Sequence, residues 1–179
     1  LVEWALECID RSALRVLDLG TGSGAVALAC KSARPEIAMC GTDISEDALR
    51  CARLNSEQLT LDVDWRCGSW FESVRGEHWD LVVSNPPYVA EADAHLSEGD
   101  LPAEPRTALV GGATGLEALQ EIICLTPNAL SPGGWLLLEH GYDQAEPVAG
   151  MLRDAGFRDV RTRSDWSGQP RITGGQWAI

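Results

Sequence analysis

The chain has 179 residues and a formal net charge of −13, from 27 Asp and Glu against 14 Lys and Arg. That length suits one domain with a sizeable core, and the acidic balance argues against broad, phosphate-driven nucleic-acid binding, which needs a basic footprint. No apolar run approaches the length of a membrane span and no signal peptide is visible; the six cysteines form no C-x-x-C pair and are expected as mostly buried free thiols in a reducing cytoplasm, while His78, His95 and His140 show no metal-ligand spacing.

The chain opens in a helical pattern, "LVEWALECI". "RVLDL" (15–19) reads as a strand, and "AVALACKSA" from Ala25 as a helix ending near Pro35. "IAMCGTD" (37–43) is a second strand. Ser45 is placed as the N-cap of the helix "EDALRCARLNSEQL", whose Ala48, Leu49, Ala52 and Leu59 share a face. "LDVDWRC" (61–67) and "WDLVVSN" (79–85) are the third and fourth strands, followed by a loop rich in Pro, Gly and acidic residues to about Thr114. "GLEALQEIICLTPNAL" is a helix that Pro127 kinks or breaks. "GGWLLLEHG" is a fifth strand, "QAEPVAGMLRDAG" a helix, and "RDVRTRSD" and "RITGGQWAI" are two closing strands. This alternation predicts an α/β domain over residues 1–179, with a mostly parallel sheet that right-handed crossovers make doubly wound. Ligands in such folds sit outside the carboxyl ends of the strands. "GTGSG" and "NPPY" both follow strands directly, so they are expected on that same edge.

Gly20, Thr21, Gly22, Ser23 and Gly24 lie between the first strand and the first helix. Glycines there let the chain turn sharply and a ligand approach the backbone. Asp43 ends the second strand about twenty residues on, where a carboxylate can accept both hydroxyls of a ribose. "GTGSGA" also fits a loose dinucleotide form. Asp18, however, would face a pyrophosphate unfavourably and suits a ligand carrying an ammonium and a sulfonium, which favours S-adenosylmethionine over NAD. Trp70, in "CGSWF", either lies against an adenine ring or is a core tryptophan.

"SNPPYV" poses a separate question. Pro86 and Pro87 remove two backbone donors and fix φ, so the strand is expected to end at Asn85 with its amide held stiffly. An amide or aromatic amine nitrogen has its lone pair delocalised and attacks a methyl group poorly. A site can help by accepting hydrogen bonds from its N–H groups and holding it in line with the S–CH₃ bond. The Asn85 side-chain oxygen and the Pro86 carbonyl are the two acceptors, and Tyr88 offers a flat face to a planar group. No nucleophile, metal or strong general base is required.

In this order, "DLGTGSGAVALA", Asp43, "GSWF", "VSNPPYV", "EPRTALVGGATGLEAL", "GGWLLLEHGYDQ" and "DWSGQPR" resemble the HemK/PrmC family of protein-(glutamine-N5) methyltransferases, which modify peptide chain release factors. The N-P-P-Y element alone is shared with adenine-N6 methyltransferases. The resemblance implies a seven-stranded, Rossmann-like methyltransferase fold with an antiparallel strand near the C-terminus. It implies a cofactor site at Asp18, Gly20 to Gly24, Asp43, Trp70 and Asn85. Asn85, Pro86, Pro87 and Tyr88 would take the glutamine carboxamide of a Gly-Gly-Gln loop, with Asn85, Pro86 and Tyr88 as the catalytic group. A ribosomal-protein glutamine, a nucleic-acid adenine or a non-catalytic nucleotide-binding role are the alternative readings. Three departures stand out: Ser69 where the family has an acid before the tryptophan, "GGQW" where it often ends in Gly-Arg, and a start in mid-helix pattern where it carries a helical N-terminal domain. The "GGQ" at Gly174 to Gln176 spells the substrate motif, but lies in a segment expected as a closing strand far from the ligand edge.

Overall fold

The computed structural model describes residues 1–11, 14–93 and 106–178; His95 and the start of "EPRTALVGG" (Glu104 and Pro105) lie outside them. The described elements run α1 (Val2–Arg11), β1 (Arg15–Leu19), α2 (Ala25–Ala33), β2 (Ala38–Asp43), α3 (Glu46–Leu59), β3 (Asp64–Cys67), β4 (Trp79–Ser84), α4 (Arg106–Leu109), α5 (Glu117–Leu125), β5 (Leu130–Glu139), α6 (Ala145–Asp154), β6 (Phe157–Ser164) and β7 (Pro170–Trp177). The strands form one seven-stranded sheet in the order β3-β2-β1-β4-β5-β7-β6. Pairing is parallel from β3 to β5, and β7 runs antiparallel to both β5 and β6. The expected mostly parallel sheet with an antiparallel strand near the C-terminus is therefore present.

The central strands are apolar on both sides because helices cover both faces. Along β4, Leu81 and Val83 enter one core cluster with Trp4 and Ala5 of α1 and Ala27 and Leu28 of α2. Val82, between them, enters the other with Leu119 and Ile122 of α5 and Val148 and Leu152 of α6. β5 splits in the same way, Trp135 and Leu137 to the first cluster, Leu136 and Leu138 to the second. Each such side chain contributes roughly 1.5–3 kcal/mol of transfer free energy, which fixes strand register strongly. The strand order reverses between β1 and β4, whose terminal residues Leu19 and Ser84 lie side by side.

Several boundaries differ from expectation for local reasons. α3 is capped by the Ser45 side chain, which accepts from the Ala48 amide at 3.2 Å, and it stops at Thr60 in the left-handed region, so β3 begins only at Asp64. α5 ends at Leu125 and Pro127 sits in a 3₁₀ turn, where the Thr126 hydroxyl donates back to the Ile122 carbonyl at 2.6 Å. β5 therefore starts at Leu130 rather than Gly133. β4 stops at Ser84, leaving Asn85 as the first residue beyond the strand. The stretch expected as loop up to Thr114 contains α4 and a parallel bridge between Val89 and Val110. All six cysteines are free, but only Cys8, Cys30 and Cys40 are buried; Cys51, Cys67 and Cys124 are exposed. Among the described residues no helix is long and apolar enough to cross a membrane.

The Gly-Gly-Gln tripeptide lies within β7. Gly174 pairs with Leu137 and Gln176 with Trp135, and the Gln176 amide donates to the Gly133 carbonyl at 2.8 Å. A Cβ on Gly174 would come within 2.8 Å of the Leu136 carbonyl oxygen, so sheet packing alone demands glycine there. Gln176 pairs in the middle of β5, opposite Trp135, whose β4 neighbour is Leu81, so it sits inside the sheet rather than at the edge that carries Asn85.

Candidate active site

The crevice between β1 and β4 opens at the carboxyl ends of the parallel strands, where ligands of doubly wound sheets bind. The Ser84 hydroxyl donates to the Leu19 carbonyl at 2.7 Å, tying the two strand ends together. One loop leaves from each of them.

After β1, Gly20, Gly22 and Gly24 all take positive φ (66°, 58° and 82°), which costs other residues roughly 1–2 kcal/mol each. The Thr21 amide donates to the Thr42 carbonyl at 2.9 Å, and Asn55 of α3 donates to the Ser23 carbonyl at 2.9 Å. A Cβ on Gly22 would meet nothing within 4 Å, so the outer surface of the loop is open there. Asp18 lies beneath, 2% exposed, accepting from the Thr21 hydroxyl at 2.6 Å. Burial pushes its carboxyl up to about 7; bonds from the Thr21 side chain and the Ala27 amide oppose this, and the nearby Asp43 charge adds to it.

Asp43 is half-buried at the end of β2. One carboxylate oxygen accepts from the Gly22 amide and the other from the Ser45 amide, each at 2.8 Å. It thus braces the glycine loop, and each oxygen keeps further lone pairs for a ligand. Trp70 has φ 44°, rare for a bulky residue. Its carbonyl accepts from the Thr42 hydroxyl at 3.1 Å and its indole N–H donates to Glu121 of α5 at 3.0 Å. Its ring edge stands 3.4 Å from where a Gly20 Cβ would be, so the indole is a half-buried wall beside the glycine loop rather than a fully buried core residue. Ser69 occupies the place of the expected acid, and its amide donates to Glu72 at 3.4 Å.

After β4, Asn85 is exposed, Pro86 is buried, and Pro87 and Tyr88 are half-buried. The 109–112 segment runs beside this loop: the Val89 amide donates to the Leu109 carbonyl (2.9 Å), the Gly111 amide to Val89 (3.0 Å) and the Glu91 amide to Gly112 (2.9 Å). A Cβ on Gly111 would strike the Pro87 carbonyl, and one on Gly115 the Tyr88 carbonyl. Gln144 reaches in from the start of α6, donating to the Tyr88 carbonyl at 2.9 Å. Gly111, Gly115 and Gln144 thus support this loop, a role the sequence reading did not assign to them. Their signal was the glycine-rich "VGGATG" and the "YDQ" after the fifth strand.

Asp18, Gly20 to Gly24, Asp43, Trp70 and Asn85 to Tyr88 thus all lie at the carboxyl-end edge around the β1–β4 crevice, with Asp18 and Pro86 buried behind it. Its chemistry fits S-adenosylmethionine on two counts. The loop surface is open at Gly22, and the side chains that brace it are the carboxylates Asp18 and Asp43, suited to a cationic, ribose-bearing ligand. A cavity of about 270 Å³ at the opposite edge, lined by Arg15, Lys31, Arg66, Asp64, Glu77 and Trp79 among others, has a different character. There Arg15 pairs with Glu77 at 3.0 Å, and Arg66 pairs with both Asp64 and Glu77.

Comparison with known proteins agrees with this geometry. The methyltransferase small domain model matches residues 3–99. Release factor glutamine methyltransferases of Xylella fastidiosa and Yersinia pestis are each 47% identical to this chain, over 98% and 100% of it respectively, and the chain spans 65% of the length of each. The solved structure of a release factor-specific protein-(glutamine-N5) methyltransferase from Alicyclobacillus acidocaldarius is 28% identical with a TM-score of 0.60, covering 99% of this chain and 90% of that one. With the fold, the crevice and over half of its length in agreement, the chain belongs to the methyltransferase small domain family, whose fold implies S-adenosylmethionine-dependent catalysis, and its similarity runs to the HemK/PrmC release factor glutamine methyltransferases.

Proposed function

We propose that residues 1–179 form one catalytic domain that transfers a methyl group from S-adenosylmethionine to the side-chain amide nitrogen of the glutamine in the Gly-Gly-Gln loop of peptide chain release factors. The observation that carries this reading is Asn85: an exposed carboxamide fixed just beyond β4, at the crevice bordered by the glycine loop and Asp43.

When bound, S-adenosylmethionine supplies an electrophilic methyl group on a sulfonium. The chain's own residues do the rest. Asp43 and the open surface of the Gly20 to Gly24 loop hold the ribose and methionyl parts, Asp18 contributes negative charge beneath the loop, and the Trp70 indole borders the adenine. The Asn85 side-chain oxygen and the Pro86 carbonyl accept hydrogen bonds from the two N–H groups of the target amide. Those groups become more acidic as the nitrogen–methyl bond forms and the sulfonium–methyl bond breaks, so the bonds strengthen toward the transition state, and one of the two protons is lost to solvent. Tyr88 lies against the planar carboxamide and limits its rotation, which is orientation catalysis.

The deciding experiment supplies labelled S-adenosylmethionine with release factors, ribosomal protein and DNA in separate reactions. Label on the release-factor glutamine is expected. Label on a ribosomal-protein glutamine would keep the chemistry and change the substrate, and label on adenine would replace both.

A further inference from the structure

We infer that Gln144 is a positioning residue for the transfer step, fixing the Asn85–Tyr88 segment through the Tyr88 carbonyl. The inference rests on the transfer chemistry proposed at Asn85.

The segment is held at both ends. At the front, Ser84 is bonded to the end of β1. At the back, the Gln144 Nε2 donates to the Tyr88 carbonyl at 2.9 Å and to the Gly115 carbonyl at 3.3 Å. Its Oε1 accepts from the Gly141 amide at 2.9 Å. One carboxamide, only 9% exposed, therefore joins three stretches that meet only in the folded sheet: the loop after β4, the turn before α5 and the loop after β5. Between the two anchors lie three residues, two of them prolines with fixed φ. With both ends pinned, few backbone torsions remain to redirect the Asn85 amide or the Pro86 carbonyl. The close approach of Gly115 leaves no room for a side chain there to do the same task, since a Cβ would overlap the Tyr88 carbonyl.

Gln144 touches neither ligand in this account, so its removal is felt as misaimed acceptors. A misplacement of about 1 Å at a reacting centre costs on the order of a hundredfold in rate. Gln144→Ala is expected to lower turnover about tenfold to a hundredfold, while S-adenosylmethionine affinity and KM for a Gly-Gly-Gln peptide stay within about twofold.

Gln144→Glu separates positioning from general structural support. When ionised, it aims a carboxylate oxygen at two carbonyl oxygens; when protonated, its O–H can donate to the Tyr88 carbonyl again. Facing carbonyls raise such a carboxyl. The variant-to-parent turnover ratio should therefore be low near pH 8 and climb toward one near pH 6, both values being approximate. The titratable and charged groups around it are Asp143 beside Gly141, the buried His140, Arg171 on the His140 carbonyl, Glu117 on the Thr114 amide, and the phenols of Tyr88 and Tyr142. All are present in parent and variant, so the ratio isolates the substituted side chain. A ratio that stays flat with pH, or normal turnover in Gln144→Ala, overturns the inference. So does a loss shared equally by turnover, cofactor affinity and thermal stability. If the parent methylates no acceptor, the proposed function has failed, and the side-chain ¹⁵N resonance of Asn85 decides instead: sharp in the parent and broadened in Gln144→Ala if Gln144 positions it, unchanged if it does not.

Discussion

The two edges of the sheet treat their polar groups in opposite ways. At the amino ends of the parallel strands, charged groups find partners in place: Arg15 pairs with Glu77, Arg66 with Asp64 and Glu77, and Asp80 accepts from the Leu14 and Arg15 backbone amides at 3.0 and 2.9 Å. The Lys31 ammonium there donates to the Pro35 and Ile37 carbonyls. At the carboxyl ends the hydrogen bonds go mainly into holding backbone: Asp43 holds Gly22, Ser84 holds Leu19, and Gln144 holds Tyr88. The exposed Asn85 amide has no hydrogen-bond partner among the described residues. A concave surface whose charges already satisfy each other gains little from a ligand, because binding must first break those pairs. The carboxyl edge instead presents the exposed Asn85 carboxamide with no ion pair to break first, the kind of preorganisation the proposed transfer would use.

That contrast can be broken most severely at Asn85. Asn85→Ala is expected to lose about 10²–10³ in turnover while retaining S-adenosylmethionine affinity, read by single-turnover labelling and calorimetry. Near-normal turnover would remove the amide from the chemistry. Asn85→Asp is nearly isosteric but adds charge near a sulfonium, so it should bind the cofactor as well or better and still transfer poorly.

Next comes the packing beneath it. Gly111→Ala places a methyl against the Pro87 carbonyl, which must move. Overpacking of this kind costs about 1–3 kcal/mol, so a lowered melting temperature is expected together with reduced turnover. An active variant with unchanged stability would mean that the segment shifts freely. Asp43→Ala should weaken cofactor binding by about 1–3 kcal/mol, since it removes charged acceptors and frees the Gly22 amide; unchanged affinity in calorimetry would place the ribose elsewhere.

pH offers a gentler probe. The Asp18 carboxyl is raised from the usual 3.8 to about 7 in the folded chain. Folding therefore favours its protonated form. The associated stability is fully present below the ordinary carboxylate value and is lost as pH rises from about 4 to about 7. A cationic ligand favours the ionised form, so S-adenosylmethionine affinity should rise through that range and level off above it, with proton release near neutrality seen in buffers of differing ionisation heat. Asp18→Asn should flatten this profile. The smallest effect belongs to the other edge. Arg66→Ala disturbs only a partly exposed pair network, so up to about 1 kcal/mol of stability is expected to go, with cofactor affinity and turnover unchanged.

The sheet and both site loops were legible in the sequence because their instructions are local. Three alternate glycines after "RVLDL" force a left-handed turn, and two prolines after "WDLVVS" stop a strand, whatever surrounds them. What escaped was the support behind those loops. Trp70 is anchored by Glu121, and Tyr88 by Gln144, 51 and 56 residues away in the chain. Neither pair shares a periodic pattern, and both partners read as ordinary helix-surface or loop residues until the crossovers bring them together. Boundaries failed for a related reason. Leu61 to Val63 have strand composition, but the left-handed Thr60 turns the chain before pairing begins at Asp64. The amino-edge ion pairs were equally hidden, since Arg15 and Glu77 belong to neighbouring strand starts only after β1 and β4 align.

Under the proposed activity, the tripeptide in β7 has a consequence for self-modification. Gly174 to Gln176 are consumed by ladder pairing with β5, and the Gln176 amide is engaged by Gly133. Releasing them requires opening the antiparallel flank of the sheet. β5 would lose its neighbour, and the loop after β5, whose His140 bonds Thr173 of β7 at 2.7 Å, would lose its anchor. That loop carries Gln144, and through it Tyr88. Within one molecule, a presentable acceptor and an assembled donor site are then mutually exclusive states. Only a folded copy meeting an unfolded one could bring them together, so automethylation of Gln176 would report on how much unfolded chain is in solution.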